Sequence, residues 1–178
     1  LIMDQPKLNG LHQIENASVA LAFANIMNKK LNLNFKKINN SIKETSWPGR
    51  LELINFQSKK IILDGSHNID GAKELNRFLR TKKVKPVVLF GMLNNKKLKD
   101  FLKIIKKQVK EVLAIKIPDE NNAFEVSEIY EKCESISIKC SKLKDINEAL
   151  KYIRKSDEKE FLITGSLYLV GKIRNRLL

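Results

Sequence analysis

Beyond Leu51 the chain alternates two patterns. Short runs of consecutive apolar residues give way to longer stretches in which apolar residues recur at the spacing of one helix face. The short runs, Leu51–Phe56, Lys60–Leu63, Pro86–Phe90, Val112–Ile115, Ile136–Ile138 and Phe161–Thr164, predict strands. Most are rich in Val, Ile, Leu and Phe with little polar alternation, which suits strands covered on both faces in a parallel sheet. The first two are separated only by Gln57-Ser58-Lys59 and predict a hairpin. Helices are predicted over Ile69–Thr81, Lys97–Lys107, Val126–Cys133, Leu143–Arg154 and Leu167–Arg176. In the second of these, Leu98, Phe101, Leu102, Ile105 and Val109 share one face, with lysines opposite. Ser156-Asp157-Glu158-Lys159 is polar and reads as a loop. Repeated alternation of strand and helix predicts an α/β domain with a mainly parallel sheet and helices on both faces.

Residues 1–46 read differently. One helix is predicted over Gln13–Lys29, with Ile14, Ala17, Leu21, Ala24 and Met27 near one face. Leu31–Thr45 is rich in Asn and Lys and reads as irregular, with a short helix near its end. Pro48 and Gly49, within Trp47-Pro48-Gly49-Arg50, stop whatever precedes them. The domain boundary is placed there, dividing the chain into residues 1–46 and 47–178. Neither an internal repeat nor a low-complexity tract is visible.

Composition narrows the function classes. With 43% hydrophobic and 30% charged residues over 178 positions, the chain has the balance of a soluble globular protein. No apolar run approaches the ~20 residues of a transmembrane helix. The opening Leu1-Ile2-Met3-Asp4 has no basic stretch followed by an apolar core, so no signal peptide is read there and the chain is expected to be a fragment of a cytoplasmic protein. The net charge of +14 raises the question of nucleic acid. The positive charge is almost all lysine, spread in pairs such as Lys29-Lys30, Lys59-Lys60 and Lys106-Lys107, with no aromatic residues interleaved as a stacking platform requires. No nucleic-acid partner is expected. Cys133 and Cys140 are too few for a disulfide framework or zinc knuckle and read as reduced thiols. With His12 and His67 the only histidines, a His-rich metal site is excluded.

Asp64-Gly65-Ser66-His67-Asn68 follows a buried strand and opens a helix. In open α/β sheets that is where ligands bind, and a helix N-terminus offers free N–H groups to an anion. Asp64 could accept from ribose hydroxyls and His67 could meet a carboxylate or phosphate. Equally, Asp64 could be a turn former, Asn68 an N-cap and His67 a satisfied loop residue. Arg50 follows a stiff turn in Trp47-Pro48-Gly49-Arg50-Leu51-Glu52, so its guanidinium is either a fixed phosphate fork or half of a surface pair with Glu52. Asn16, in Leu11-His12-Gln13-Ile14-Glu15-Asn16-Ala17, could present its amide to an adenine edge or simply be solvated. Ser166, in Thr164-Gly165-Ser166-Leu167-Tyr168, stands at another strand-to-helix junction as an N-cap or a ligand hydroxyl. Gly91-Met92-Leu93-Asn94-Asn95-Lys96 ends a further strand, and Lys96 reads either as facing an anion or as a solvated loop lysine. The chain has no G-x-x-x-x-G-K-[ST] loop, no G-x-G-x-x-G after a strand and no carboxylate cluster resembling a Mg²⁺ site.

In this order and spacing, His12-Gln13, Asn16-Ala17, Trp47–Glu52, Asp64–Asn68, Gly91-Met92-Leu93 and Thr164–Tyr168 resemble the C-terminal third of folylpolyglutamate synthase and the bifunctional dihydrofolate synthase, within the wider Mur ligase superfamily. The resemblance covers nearly the whole chain, and the Trp47–Glu52 and Asp64–Asn68 pair is its most specific part. It implies a Rossmann-like sheet of the Mur ligase C-terminal-domain type, preceded by a helical remnant of the ATPase domain. It implies a cytoplasmic, monomeric ligase in which ATP activates a folate or dihydropteroate carboxylate as an acyl phosphate that the amine of L-glutamate then attacks. Asn16 would meet adenine, Arg50 the ATP phosphates and Asp64 the ribose, while His67 and Ser166 would line the glutamate site. The phosphate loop and Mg²⁺ ligands would lie in the absent N-terminal ATPase domain, and no residue here would be catalytic by itself.

Three positions depart from the family pattern. Ser66 stands where Ala is common, Ile69 where Pro is common, and Asn95-Lys96-Lys97 where an acidic-Lys-acidic triplet is usual. The last difference leaves the role of that loop open. Two other readings remain: a Mur-type ligase adding an amino acid to a cell-wall precursor, and a non-catalytic basic α/β binding module. On the first reading the isolated chain is expected to be inactive.

Overall fold

The computed structural model describes residues 5–178. Two helices come first, α1 (Leu11–Leu31) and α2 (Phe35–Glu44). A sheet of six strands follows: β1 (Glu52–Phe56), β2 (Lys59–Leu63), β3 (Val87–Phe90), β4 (Glu111–Ala114), β5 (Cys140–Lys142) and β6 (Glu160–Thr164). Its helices are α3 (Ile69–Leu79), α4 (Leu98–Ile105), α5 (Val126–Glu134), α6 (Ile146–Lys155) and α7 (Leu167–Leu177). The strand order is β1-β2-β6-β3-β4-β5, parallel throughout except for β1, which pairs antiparallel with β2 as the predicted hairpin.

Successive side chains on each strand enter different cores, because a strand's side chains alternate across the sheet. Val88, Phe90, Val112, Ala114 and Leu162 face α3, α4 and α5. Val87, Leu89, Leu113, Phe161 and Ile163 face α6 and α7. All of these strand residues are fully buried, so the apolar runs are continuous because both faces are covered. The sheet therefore carries helices on both faces, as the sequence predicts. The α3 that follows β2 lies on one face and the α7 that follows β6 on the other. Since β2 and β6 are neighbours, their outgoing loops diverge and leave a crevice at the carboxyl ends of the strands.

Three predicted elements differ. The strand predicted at Ile136–Ile138 lies four residues later, at Cys140–Lys142. Ile136 and Ile138 are buried within the turn that ends α5, where Ser137 adopts φ 55° and Ile138 N–H donates to Cys133 O at 2.9 Å. Two isoleucines spaced two apart imitate a strand there. The true strand is a partly exposed edge and so lacks a continuous apolar run. The segment expected to be mostly irregular carries a ten-residue helix, α2, whose N-cap Asn34 accepts from Lys37 N–H at 3.1 Å. The predicted helix Gln13–Lys29 runs two residues further at each end as α1, and its predicted face is only partly covered: Leu21 is buried, Ala17, Ala24 and Met27 are half-buried and Ile14 is exposed, while Val19, Phe23 and Ile26, outside that face, are also exposed.

Candidate functional site

Three loops meet at the carboxyl ends of the strands. Gly65 N–H donates to Gly49 O at 2.7 Å, and Gly165 N–H donates to Ser66 O at 3.1 Å. These bonds tie the loop before β1 to the loops after β2 and β6. The contacts leave no space for larger residues. A β-carbon on Gly65 would lie 2.1 Å from Leu167 Cδ2, and one on Gly165, at φ +100°, would lie 2.5 Å from Gly91 O.

Two cavities open here. One, of about 360 Å³, is lined by His12, Arg50, Asp64, His67, Lys73 and Glu74 among others. The other, of about 450 Å³, is lined by His67, Lys96, Ser166 and Tyr168, with Leu93, Leu167 and Gly165. Only His67 and Leu167 border both.

Asp64 is buried, and both carboxylate oxygens hold backbone: Oδ2 accepts from Leu51 N–H at 3.2 Å and Oδ1 from Ser66 N–H at 3.1 Å. A carboxylate has about four lone-pair sites, so each oxygen keeps acceptor capacity toward the cavity. The first of these bonds secures Leu51, a core residue held at φ 47°. Asp64 is thus a turn former whose carboxylate still faces the cavity it shares with Arg50.

Arg50 is exposed, and its guanidinium has no hydrogen-bond or ion-pair partner among the described residues. The alternative of an Arg50–Glu52 pair does not form. Glu52 instead accepts from Arg174 Nε with both oxygens at 3.0 Å and from Gly49 N–H at 2.8 Å. Arg50 is left as an uncommitted cation at the cavity wall. The neighbouring charges are compensated, Lys73 by Asp70 at 3.0 Å and Glu74 by Arg77 at 3.1 Å.

His67 donates from Nδ1 to Gly65 O at 2.9 Å, so Nε2 is its remaining polar atom. Asn68 caps α3, its Oδ1 accepting from Gly71 N–H at 2.8 Å. Ser166 is buried and caps α7, its Oγ accepting from Tyr168 N–H at 3.1 Å, which leaves its O–H free to donate. Asn16 is the exception among the predicted residues. It is exposed on α1, donates to Gln13 Oε1 at 3.2 Å and does not line either cavity. It lies one turn beyond His12, which does, on the same helix face.

The structure therefore brings Arg50, Asp64 and His67 together, and His67 with Ser166. His12, Lys73, Glu74 and Tyr168 complete the walls without having been singled out from the sequence. His12 and Tyr168 sit inside motifs that were noticed, whereas Lys73 and Glu74 carry no local signal beyond being polar positions on α3. No group of three or more His, Cys, Asp or Glu among the described residues is placed to hold a metal ion. The groups with shifted proton affinity lie elsewhere, at the amino ends of the strands around Glu111 and Tyr152 and on the neighbouring Cys133 and Cys140.

The family model for the dihydrofolate synthetase C-terminal domain matches residues 50–177. The dihydrofolate synthase/folylpolyglutamate synthase of Bacillus subtilis is 29% identical over 176 residues, covering 96% of this chain and 40% of that protein. The probable dihydrofolate synthetase of Schizosaccharomyces pombe is 28% identical over 179 residues, covering 92% of this chain and 42% of that protein. Among solved structures, folylpolyglutamate synthase from Thermotoga maritima aligns with a TM-score of 0.77 at 30% identity, over 97% of this chain and 40% of that one. Folylpolyglutamate synthase of Mycobacterium tuberculosis, solved with ADP and AMPPCP, aligns with a TM-score of 0.81 at 20% identity over 97% of this chain and 41% of that one, a likeness of fold. The chain spans about two fifths of the length of these relatives. Matched from its first strand to its last helix, it belongs to the family of the dihydrofolate synthetase C-terminal domain.

Proposed function

We propose that this chain is the C-terminal part of an ATP-dependent ligase that joins L-glutamate to a folate or dihydropteroate carboxylate. The observation that carries the reading is the pair of cavities meeting at His67, one with an uncommitted guanidinium beside a carboxylate, the other with a hydroxyl and an ammonium. Residues 1–46 are the end of an ATPase domain and 47–178 the glutamate-ligase domain. The names of the relatives, and the nucleotides bound in the Mycobacterium tuberculosis structure, support the reading.

In this scheme the cavity bordered by Arg50 and Asp64 takes the nucleotide. Arg50 contacts the phosphates, where a guanidinium stabilises charge that develops during phosphoryl transfer. Asp64 accepts from the ribose hydroxyls with its remaining lone pairs, and Asn16 meets the adenine from α1. The cavity bordered by Ser166 takes glutamate: Ser166 donates its free O–H to a carboxylate at the start of α7, and His67 donates or accepts through Nε2. The acyl phosphate formed from ATP is attacked by the glutamate amine, giving an amide, ADP and phosphate. The described residues do not fit a Mg²⁺ site, so no step is assigned to metal on them; its ligands belong to the preceding domain. The whole enzyme works as a cytoplasmic monomer, and this chain alone is inactive because the reaction needs both domains closed around ATP.

The test is phosphate release from the longer protein supplied with ATP, Mg²⁺ and L-glutamate, with dihydropteroate and tetrahydrofolate offered separately. Acceptor-dependent release is expected, falling on the order of a hundredfold in Arg50→Ala, the magnitude seen when one stabilising group is removed from a developing charge. A folded, ATP-binding protein that shows no acceptor dependence would overturn the folate assignment.

A further inference from the structure

Cys133 lies in the last turn of α5 and Cys140 opens β5. Between them the chain reverses tightly. Cys133 O accepts from Ile136 N–H at 3.2 Å and from Ile138 N–H at 2.9 Å, with Ser137 at φ 55° in between. The strand therefore starts back alongside the helix it has just left. The two thiols are brought into hydrogen-bond contact, with Cys133 S–H donating to Cys140 Sγ. A second contact braces the same two elements: the Lys142 ammonium on β5 lies 4.6 Å from the centre of the Tyr130 ring on α5.

Both cysteines are free thiols, in unlike settings. Cys133 is fully buried in the core that holds Ile129, Ile136 and Ile138. Cys140 packs against that core but is only half-buried, so a reagent from solvent meets it first. The hydrogen bond between them, together with burial, pushes the Cys133 thiol up. The same bond holds the Cys140 thiol below its ordinary value, which favours thiolate at the accessible sulfur. An accessible thiolate beside a second, protected thiol is the arrangement of an attacking and a resolving cysteine. An S–S bond is ~2.0 Å long, so thiols already in contact need side-chain rotation to join.

We propose that Cys133 and Cys140 are a modification site, at which hydrogen peroxide drives a reversible disulfide within the chain. The Cys140 sulfur attacks the O–O bond, keeps one oxygen as a sulfenic acid and releases the other as water. The Cys133 sulfur then attacks the sulfenic sulfur, forming the S–S bond. The departing hydroxyl takes the Cys133 proton and leaves as a second water. Two electrons pass from the thiols to the peroxide, and a dithiol reductant returns them. The bond staples β5 to α5. Strand β5 is paired on one side only, to β4 from Val112–Cys140 to Ala114–Lys142, and so short an edge opens readily. Neither cysteine borders either cavity, so the staple acts on the sheet edge, independently of the ligase reading above.

The experiment exposes the longer protein, reduced and folded, to hydrogen peroxide, then blocks remaining thiols by alkylation and maps the digested peptides by mass. A peptide carrying Cys133 and Cys140 is expected two hydrogens lighter, with neither sulfur alkylated, and dithiothreitol should restore both thiols. Amide exchange along Cys140–Lys142 is expected to slow roughly tenfold to hundredfold in the oxidised form, as a closed loop restricts local opening. In Cys133→Ala the reaction should stop at a Cys140 sulfenic acid that dimedone captures, and in Cys140→Ala the buried Cys133 should stay reduced. Because Cys133→Ala also opens a hole in the core, the wild-type map decides. Both thiols still alkylatable after peroxide, Cys140 joined only to another molecule, or Cys140 carried on to sulfinic acid with Cys133 untouched would each overturn the disulfide. Unchanged exchange at β5 in the oxidised protein would overturn the staple.

Discussion

At the scale of single residues, the candidate site is built from groups that serve the backbone and a ligand at once. Asp64 holds Leu51 N–H and Ser66 N–H, and the first of these keeps a core leucine in a left-handed conformation that costs roughly 1–2 kcal/mol. Asp64→Ala strips the acceptor from two backbone donors, so a loss of about 1–3 kcal/mol in stability is expected by urea denaturation, separate from any effect on ATP. Asp64→Asn, which retains an acceptor oxygen, should lose less. Gly65 has a different constraint. Gly65→Ala drives a methyl group into Leu167, so it should destabilise by about 1–3 kcal/mol. Adding Leu167→Ala should recover most of that loss, because Leu167 is itself 46% exposed and little burial is forfeited. A double variant no more stable than Gly65→Ala alone would show that the backbone, not Leu167, is what the methyl group disturbs.

At the scale of elements, each junction that carries a candidate residue is also a helix cap. Ser166 begins α7 and Asn68 begins α3. Ser166→Ala should cost about 1 kcal/mol in thermal unfolding, and any change in amino-acid binding beyond that reports the hydroxyl's second use. These junctions were legible in the sequence because each sits where an apolar run stops at Asp-Gly or Thr-Gly and helical spacing starts. Elements whose identity depends on what covers them were not. Strand β5 is three residues at a half-exposed edge, and its apolar neighbours Ile136 and Ile138 are buried in a turn, so hydrophobicity pointed at the wrong three residues. Helix α2 buries no residue, so its sequence carries no signal from a core, although Asn34 marks its start. Lys96 was legible only as two alternatives, because its loop is held by bonds to the segment around Asn122 and Phe124, a pairing no local pattern encodes.

At the scale of the whole molecule, the two ends of the sheet have different work. The carboxyl ends hold the cavities. The amino ends hold a polar cluster in which buried Glu111 accepts from Tyr152 O–H at 2.7 Å and pairs with Lys139 at 2.8 Å. Burial alone would raise the Glu111 proton affinity, but hydrogen bonds from Lys139 and Tyr152 and the charges of Lys139 and Lys110 outweigh it and leave the carboxyl below its ordinary value. A carboxylate whose pKa is lower folded than unfolded adds stability above its unfolded pKa and loses it as pH falls through the folded one. Stability should therefore decline on acidification below the ordinary glutamate range, and Glu111→Gln should flatten that decline. Burial and the same carboxylate push Tyr152 up to about 12. A raised pKa acts in the opposite direction, so its contribution, complete below the ordinary tyrosine value, fades as pH rises toward 12. Denaturation midpoints across both limbs check the two signs, and they should move without altering the cavities at the far end.

The position of His67 has a thermodynamic consequence. Its Nδ1 proton is engaged by Gly65 O, so a single nitrogen is available to two cavities. One atom cannot serve both occupants fully. If Nε2 engages whichever molecule arrives first, the second meets a wall already committed, and by linkage the penalty is the same whichever order is followed. Replacing His67 with alanine should weaken each ligand taken singly yet remove their mutual antagonism, so that saturation with one no longer alters the apparent affinity for the other. The shared imidazole would then be an arbiter of occupancy, setting how readily the protein holds both molecules at once.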